Sequence, residues 1–264
     1  MIQTAGVARP PELHPAAAAD RRLYAACFGT GTPATVGDLL DGMVDAVGAA
    51  IGDGDPAAMA YFTNWHPGYL GATPASIMAS APAPADVRLA VARGYGFADW
   101  AGAERSRDRP FDTMFEAAAD AVADGDEGSL ADLLAARPLL VRDRSPLGHA
   151  ATLLHYVAAN GVEFRRQVSG PMAPVVAERL LAAGAEVDAL ADTYGGGTSQ
   201  TVLVLLLTSG HPAQAGVTNA VVEVLLRHGA DPNGVKADGA PLRAARRVGN
   251  LGAVARLTAA GATD

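Results

Sequence analysis

The chain has 264 residues, of which half are hydrophobic and 5% aromatic, and its formal net charge is −8 at pH 7. An acidic chain lacks the clustered cations that neutralise phosphates, so this composition argues against a general nucleic-acid surface. The longest aliphatic run, residues 202–207, has only six residues, which is too short to cross a bilayer, so no membrane partner is predicted.

Residues 1–33 are rich in Pro, Ala and Gly. They are predicted to be poorly ordered apart from one short helix over 15–27. They show no secretory pattern, and the single cysteine, Cys27, excludes an internal disulfide. Together these features predict a cytoplasmic protein.

Residues 34–110 are predicted to form a helical module. Hydrophobic residues recur at helical spacing over 36–51, and a Gly- and Asp-rich stretch separates this helix from a second one over 56–64. Past the Ala- and Pro-rich residues 72–84, another helix is predicted over 87–93, and Gly94-Tyr95-Gly96 ends it. Phe97-Ala98-Asp99-Trp100 begins the next helix.

Residues 111–264 contain a repeated pattern. Apolar helix ends followed by Gly-Ala recur at Gly184, Gly229 and Gly261, and glycine is the residue that stops a helix in the left-handed conformation. The last two of these glycines lie 32 residues apart, and the first two lie 45 apart. Upstream of each Gly-Ala is a second signature, at residues 152–161, 201–211 and 238–249. A unit of this kind cannot bury its apolar face alone, so neighbouring copies must stack.

This pattern resembles the ankyrin repeat, in which Thr-Pro-Leu-His, a Gly, a Val/Leu helix and Gly-Ala-Asp follow one another. The resemblance is specific over 152–263 and looser over 115–143, where a divergent first repeat is predicted. Residues 92–100 are similar to a stretch that precedes ankyrin arrays in bacterial proteins. The resemblance implies an all-α solenoid of about four helix pairs over 111–264, preceded by a helical capping module over 34–110.

Two of the predicted repeats carry extra residues between their helices. In a regular unit the second glycine follows the first by about 12 positions. Here the interval is 11 positions longer in one repeat and 7 longer in the next, and the inserted segments are 162–171 and 211–217. Both insertions lie on the same side of the predicted stack, and the Gly-rich finger at 192–199 lies between these repeats. Adjacent insertions on a scaffold are typical of a binding site.

The first hypothesis for function is an interaction scaffold that binds a protein partner through its concave face and finger loops. Arg165-Arg166 is interpreted as a solvated helix face or as a contact for an acidic partner. The three glycines before Thr198 form a flexible finger that leads into a helix cap, or else they let backbone N–H groups approach an anion. The candidate binding residues are Asn160, Arg165, Arg166, Asp192, Thr198 and Ser199.

The alternative hypothesis is an ankyrin-derived enzyme or small-molecule binder in which the two inserts and the finger close a pocket. The side chains expected to line it, and to supply cofactor-independent acid/base chemistry, are Glu163, His211, Tyr194 and His155. For His155 the resemblance also implies a structural role, hydrogen bonding between neighbouring turns. No set of convergent zinc ligands is present, so no metal or other cofactor is predicted. Known catalytic signatures are absent. The scaffold hypothesis is favoured because binding is the usual role of the fold that this pattern resembles.

Overall fold

The chain is predominantly helical, so the all-α prediction is confirmed. A computed structural model describes residues 14–29, 31–196, 198–235 and 240–263. The helices of these residues are α1 (Pro15–Phe28), α2 (Val36–Ala50), α3 (Pro56–Trp65), α4 (Pro74–Ser80), α5 (Pro84–Gly94), α6 (Trp100–Glu104), α7 (Thr113–Asp124), α8 (Glu127–Ala136), α9 (Leu153–Tyr156), α10 (Ala173–Ala182), α11 (Thr193–Gly196), α12 (Val202–Thr208), α13 (Gly210–Gln214), α14 (Thr218–Arg227), α15 (Ala240–Arg247) and α16 (Leu251–Ala259). Two strands, β1 (Leu190–Asp192) and β2 (Thr198–Thr201), form an antiparallel pair. Tight 3-10 turns lie at Pro67–Tyr69, Pro138–Arg142 and Phe164–Arg166.

Some sequence predictions fall outside the described residues. They concern residues 1–13 and residue 30 of the N-terminal segment, Gly197 of the finger, Asp238 and Gly239 of the last repeat signature, and Asp264 at the end of the repeat region. Within the described residues, no helix is both long enough and apolar enough to cross a membrane.

The N-terminal helices begin where capping preferences place them. Thr35 accepts the N–H of Asp38 at 3.1 Å, and the Asp38 carboxylate accepts the N–H of Thr35 at 2.9 Å, which closes a capping box at α2. At α3 the Asp55 carboxylate accepts the N–H of Ala57 at 2.8 Å, with Pro56 at the first helical position. The sequence prediction passed over α4, which lies inside the Ala- and Pro-rich residues 72–84.

The helices of the C-terminal region pack in two rows. In the first row α7, α9, α12 and α15 contact one another in succession, and in the second row α8, α10, α14 and α16 do the same. One buried hydrophobic cluster runs through both rows, from Phe115 in α7 to Leu257 in α16. Gly184, Gly229 and Gly261 follow α10, α14 and α16 with φ of 98°, 90° and 95°, so the predicted left-handed helix stops are confirmed.

The N-terminal helices and the two rows share a closely packed boundary. Leu147, from the loop before α9, is fully buried in the hydrophobic core of the N-terminal helices. The N–H of Gly148 donates to the carbonyl of Tyr95 at 3.0 Å. A Cβ on Gly148 would lie 2.4 Å from the carbonyl carbon of Gly96, so the two backbones touch. α1 packs on α2 and α3 and also on the turn Phe164–Arg166 of the first insert.

Candidate functional site

The arginine pair of the first insert is buried rather than solvated. Arg165 and Arg166 are only 3% and 1% exposed. Arg166 donates to the Glu116 carboxylate at 2.6 Å and to Glu163 at 3.0 Å, while Arg165 reaches Glu116 at 3.3 Å. Both guanidinium groups also bind Asp120. The prediction of a solvated face or of an acidic partner's contact is therefore wrong at these positions, because carboxylates of the same chain surround both arginines.

Two elements bring these charges together. Glu116 and Asp120 are four residues apart on α7, so they lie on one helix face, and that face meets the 3-10 turn Phe164–Arg166. Arg165 also lies over the ring of Tyr24 from α1, 4.1 Å from its centroid. A buried charge is tolerated when it is paired and hydrogen-bonded. The first insert is therefore fixed to both α7 and α1.

Glu163 is a member of this charge network. Its side chain is 1% exposed, and its carboxylate lies 3.5 Å from Nε2 of His149 in addition to its bond with Arg166. Burial opposes ionisation, yet Arg166 and His149 hold the pKa of Glu163 well below its usual range. A carboxylate that is shielded from solvent and held ionised is poorly suited to exchange protons with a substrate.

His155 is equally shielded, with zero exposure. Its Nδ1 accepts the N–H of Thr152 at 3.1 Å, so Nε2 carries the proton and donates to the carbonyl of Ala189 at 3.1 Å. Burial lowers the pKa of His155 to about 4, which keeps the ring neutral near pH 7. These bonds connect the turn of α9 to the loop after α10, as the structural interpretation of this histidine predicts.

The other two candidate catalytic residues lie at the surface. Tyr194 is 42% exposed and donates its hydroxyl to Oδ1 of Asn160 at 2.8 Å. Asn160 in turn donates to the Leu205 carbonyl and the Thr208 hydroxyl, both at 3.1 Å. His211 is half-buried at the start of α13, and its burial lowers its pKa.

The prediction that these four side chains line one acid/base pocket is therefore wrong. Glu163 and His155 are closed off from solvent, whereas Tyr194 and His211 remain accessible, so the four side chains do not line one open cleft. The physical reason is that the insert at 162–171 turns towards α1 and α7, where its charges find partners. The insert at 211–217 instead borders a separate cavity of about 360 Å³.

The Gly-rich finger is a β-hairpin. In the pairing of β1 with β2, Asp192 lies opposite Ser199, and the Ser199 hydroxyl donates to the Asp192 carboxylate at 2.9 Å. Thr198 is the first residue of β2, and the next helix begins only at Val202. The prediction that Thr198-Ser199 starts a helix is therefore wrong, because both residues belong to β2, whose residues 199–201 pair with Leu190–Asp192.

The hairpin turn also meets the N-terminal helices. Gly195 has a φ of 76°, and a Cβ at this position would lie 3.0 Å from the guanidinium carbon of Arg93. Arg93, on α5, donates to the carbonyl of Trp65 at 2.8 Å. The glycine thus admits an arginine of the same chain where the anion-binding interpretation of the finger expects a ligand.

Sequence reasoning missed a buried carboxylate on α1. Asp20 has zero exposure, and its neighbours include Tyr61, Arg165 and Glu163. Neither of its oxygens reaches hydrogen-bond geometry with the described residues. Burial raises the pKa of Asp20 from 3.8 to about 6. The only sequence signal is one acidic residue on an alanine-rich helix.

An Asp20→Asn variant is expected to change the pH dependence of stability. Because the folded pKa lies above 3.8, the native protein holds an extra proton, and wild-type stability falls as the pH rises through about 6. The amide stays neutral, so the unfolding free energy of the variant relative to wild type should rise by about 3 kcal/mol between pH 3.5 and pH 7. Urea denaturation at a series of pH values measures this difference. A constant difference would contradict a raised pKa for Asp20.

The described residues contain no group of three or more His, Cys, Asp or Glu side chains arranged to hold a metal ion. In comparisons with known proteins, no family model matches the chain and no curated protein matches its sequence.

Proposed function

We propose that the chain is an ankyrin-repeat interaction protein that binds a protein partner through the loops joining its helix pairs. The two rows of helices, the left-handed glycines after α10, α14 and α16, and the bonds of His155 support the repeat assignment. Each of these features matches what the ankyrin resemblance implies.

The observation that carries the proposal is the exposure of large apolar side chains on successive loops. Leu139 is 71% exposed, Leu190 36%, Tyr194 42% and Val235 46%. Leu190 and Tyr194 belong to the same loop, and each of the three loops leads from a second-row helix back to the first row. In the proposed repeat stack, such loops lie at the same end of the helix pairs. Large apolar side chains exposed on successive loops are typical of a protein-binding surface.

The concave face offers less room than the sequence hypothesis assumes. Every residue of α9 is fully buried, because α7, α10 and α12 pack against it and Arg166 of the first insert lies over the Tyr156 ring. The loops are therefore the surface we assign to the partner.

A Leu139→Asp, Val235→Asp double variant is expected to lose partner binding. A charge in a desolvated contact disfavours association by several kcal/mol, so captured partner should fall by at least about tenfold. Quantitative mass spectrometry after chemical crosslinking in cells measures this, with the wild-type chain as reference.

The matched control is Leu251→Asp, which introduces the same charge at a leucine that is 79% exposed on α16, away from these loops. It should capture the partner like wild type. Equal capture by the loop variant and the control, with both folded by circular dichroism, would overturn the proposal.

A further inference from the structure

The first and last helix pairs of the two rows have the same local structure. Gly125 after α7 and Gly249 after α15 lie 124 positions apart and have φ of 72° and 70°. At each turn the N–H of the next residue, Asp126 or Asn250, donates to the carbonyl five positions back, at 2.8 and 2.9 Å. The side chains of Asp126 and Asn250 then cap α8 and α16 by accepting the N–H three positions ahead, at 3.0 Å in both cases. Residues that are 124 positions apart therefore occupy equivalent places in the two pairs.

A groove of about 550 Å³ lies beside α7 and α8. Four of its lining residues are Ala117, Ala121, Ser129 and Leu133. Their equivalents, which are buried in the last pair, are Pro241, Ala245, Ala253 and Leu257. Helices α15 and α16 bury these residues where they pack on each other and on α12 and α14. The groove is therefore the surface of the first pair on which a preceding pair would pack.

The opposite side of the last pair is open. In the first pair Ala119 and Val122 are only 0% and 4% exposed, because α7 packs on α8 and α9. Their equivalents on α15 are Arg243 and Arg246, and both arginines are exposed. The positions that the first pair uses to contact the next pair thus face solvent in the last pair.

The start of α16 is also without the neighbour that α8 has. Leu251 is equivalent to Glu127, whose carboxylate forms an ion pair with Arg179 of α10. Leu251 is 79% exposed, and within the described residues no helix follows α16. Arg243, Arg246 and Leu251 therefore lie on the side that would contact a following pair, and we call this surface the basic end.

The groove and the basic end carry opposite charges. Of the eight described residues that line the groove, four are aspartates and none is basic. Asp120 and Asp124 form ion pairs with arginines of the first insert and of α1, yet 54% and 44% of their side chains remain exposed. Exposed charges of opposite sign steer two surfaces together and fix their register.

We propose that the groove beside α7 and α8 receives the basic end of a second copy of this chain, so that the helix pairs of one molecule continue those of the next. In this arrangement α15 and α16 of one copy pack on α7 and α8 of the other, as α12 and α14 pack on α15 and α16 within one chain. The two surfaces differ, so the association is head-to-tail and does not stop at a dimer. This inference does not depend on the partner-binding proposal.

Sedimentation of the whole chain from micromolar to millimolar concentration tests the proposal. The average mass should rise with concentration and pass that of a dimer. It should fall when sodium chloride is raised from about 0.05 M to about 0.5 M, because salt screens charges at a surface. The mass of one chain at every concentration, a plateau at two chains, or a mass that salt leaves unchanged would overturn the proposal.

Two variants separate the two surfaces. Ala117→Arg places a long cationic side chain in the groove, and Arg246→Glu reverses a charge on the basic end. Each should weaken self-association by at least about tenfold, since like charges then meet. An equimolar mixture should associate, because each variant supplies the surface that the other has lost. A mixture that sediments as the separate variants do, or either variant associating alone as wild type does, would overturn the proposal.

The matched control is Arg247→Glu, the same charge reversal at the next residue of α15. Its equivalent in the first pair is Ala123, which packs with Ala17 of α1 rather than with the next helix pair. This variant should associate as wild type does, and a loss equal to that of Arg246→Glu would overturn the proposal. Should Ala117→Arg fail to fold by circular dichroism, the comparison of Arg246→Glu with Arg247→Glu decides the question.

Discussion

A Gly148→Ala variant is expected to lose about 4 kcal/mol or more of its free energy of unfolding, which is exceptional for one methyl group. The added Cβ would lie 2.4 Å from the carbonyl carbon of Gly96, 2.4 Å from the nitrogen of Phe97 and 2.5 Å from the Gly96 oxygen. All three are backbone atoms, so no side-chain rotation relieves the overlap. The loops must separate, and the bond from Gly148 to the Tyr95 carbonyl is then lost.

The matched control is Gly48→Ala. Gly48 lies inside α2, and a Cβ there has no atom within 4 Å. Alanine is a better helix former than glycine, so this variant should gain about 0.5–1 kcal/mol. Chemical denaturation of the two variants measures both effects. A Gly148→Ala protein as stable as wild type would show that the two loops are not in contact in solution.

Replacing Arg166 by methionine is expected to lower the free energy of unfolding by about 3–5 kcal/mol, because removing one partner leaves buried charges uncompensated. The carboxylates that lose their shared cation are Glu116 and Glu163, which are 4% and 1% exposed. The loss of stability comes from a buried carboxylate that no longer has a cation beside it. Adding Glu163→Gln to the Arg166→Met variant removes one such charge, so it should restore part of the free energy of unfolding.

Arg179→Met serves as the control for that experiment. Arg179 forms an ion pair with Glu127 on the surface, with 47% of its side chain exposed, and such a pair contributes at most about 1 kcal/mol. Equal losses from Arg166→Met and Arg179→Met, measured by urea denaturation, would show that the insert network is solvated.

Sequence patterns predicted the helices well where capping and periodicity agree. α2 and α3 start at the predicted residues, and the glycines after α10, α14 and α16 have the predicted backbone. α4 was missed although Thr73 caps it and Pro74 follows at the first helical position. This signal is in the sequence, but the surrounding alanines and prolines obscured it.

The candidate site was harder to predict because its contacts are not local. The spacing of glycines located the insert at 162–171, yet it could not tell which way the insert turns. That direction depends on Glu116 and Asp120, which precede Arg166 by 50 and 46 residues. The burial of Asp20 likewise depends on α3 and on the insert, neither of which is its neighbour in sequence.

The finger illustrates a different limit. A glycine run followed by Thr198-Ser199 suits a helix start and a hairpin turn equally. The choice is made by the preceding segment, Leu190–Asp192, which offers the backbone partners for β2.

The contact of α1 with the first insert also fixes an order of events during synthesis. The Arg21 side chain donates to the Arg165 carbonyl, 144 residues further along the chain. On a ribosome the N-terminal helices emerge first. Leu147, which belongs to their core, and the first insert, on which α1 packs, are made only later. We therefore expect the nascent N-terminal half to expose apolar surface until the middle of the chain has been synthesised. Chaperones should be needed at this stage.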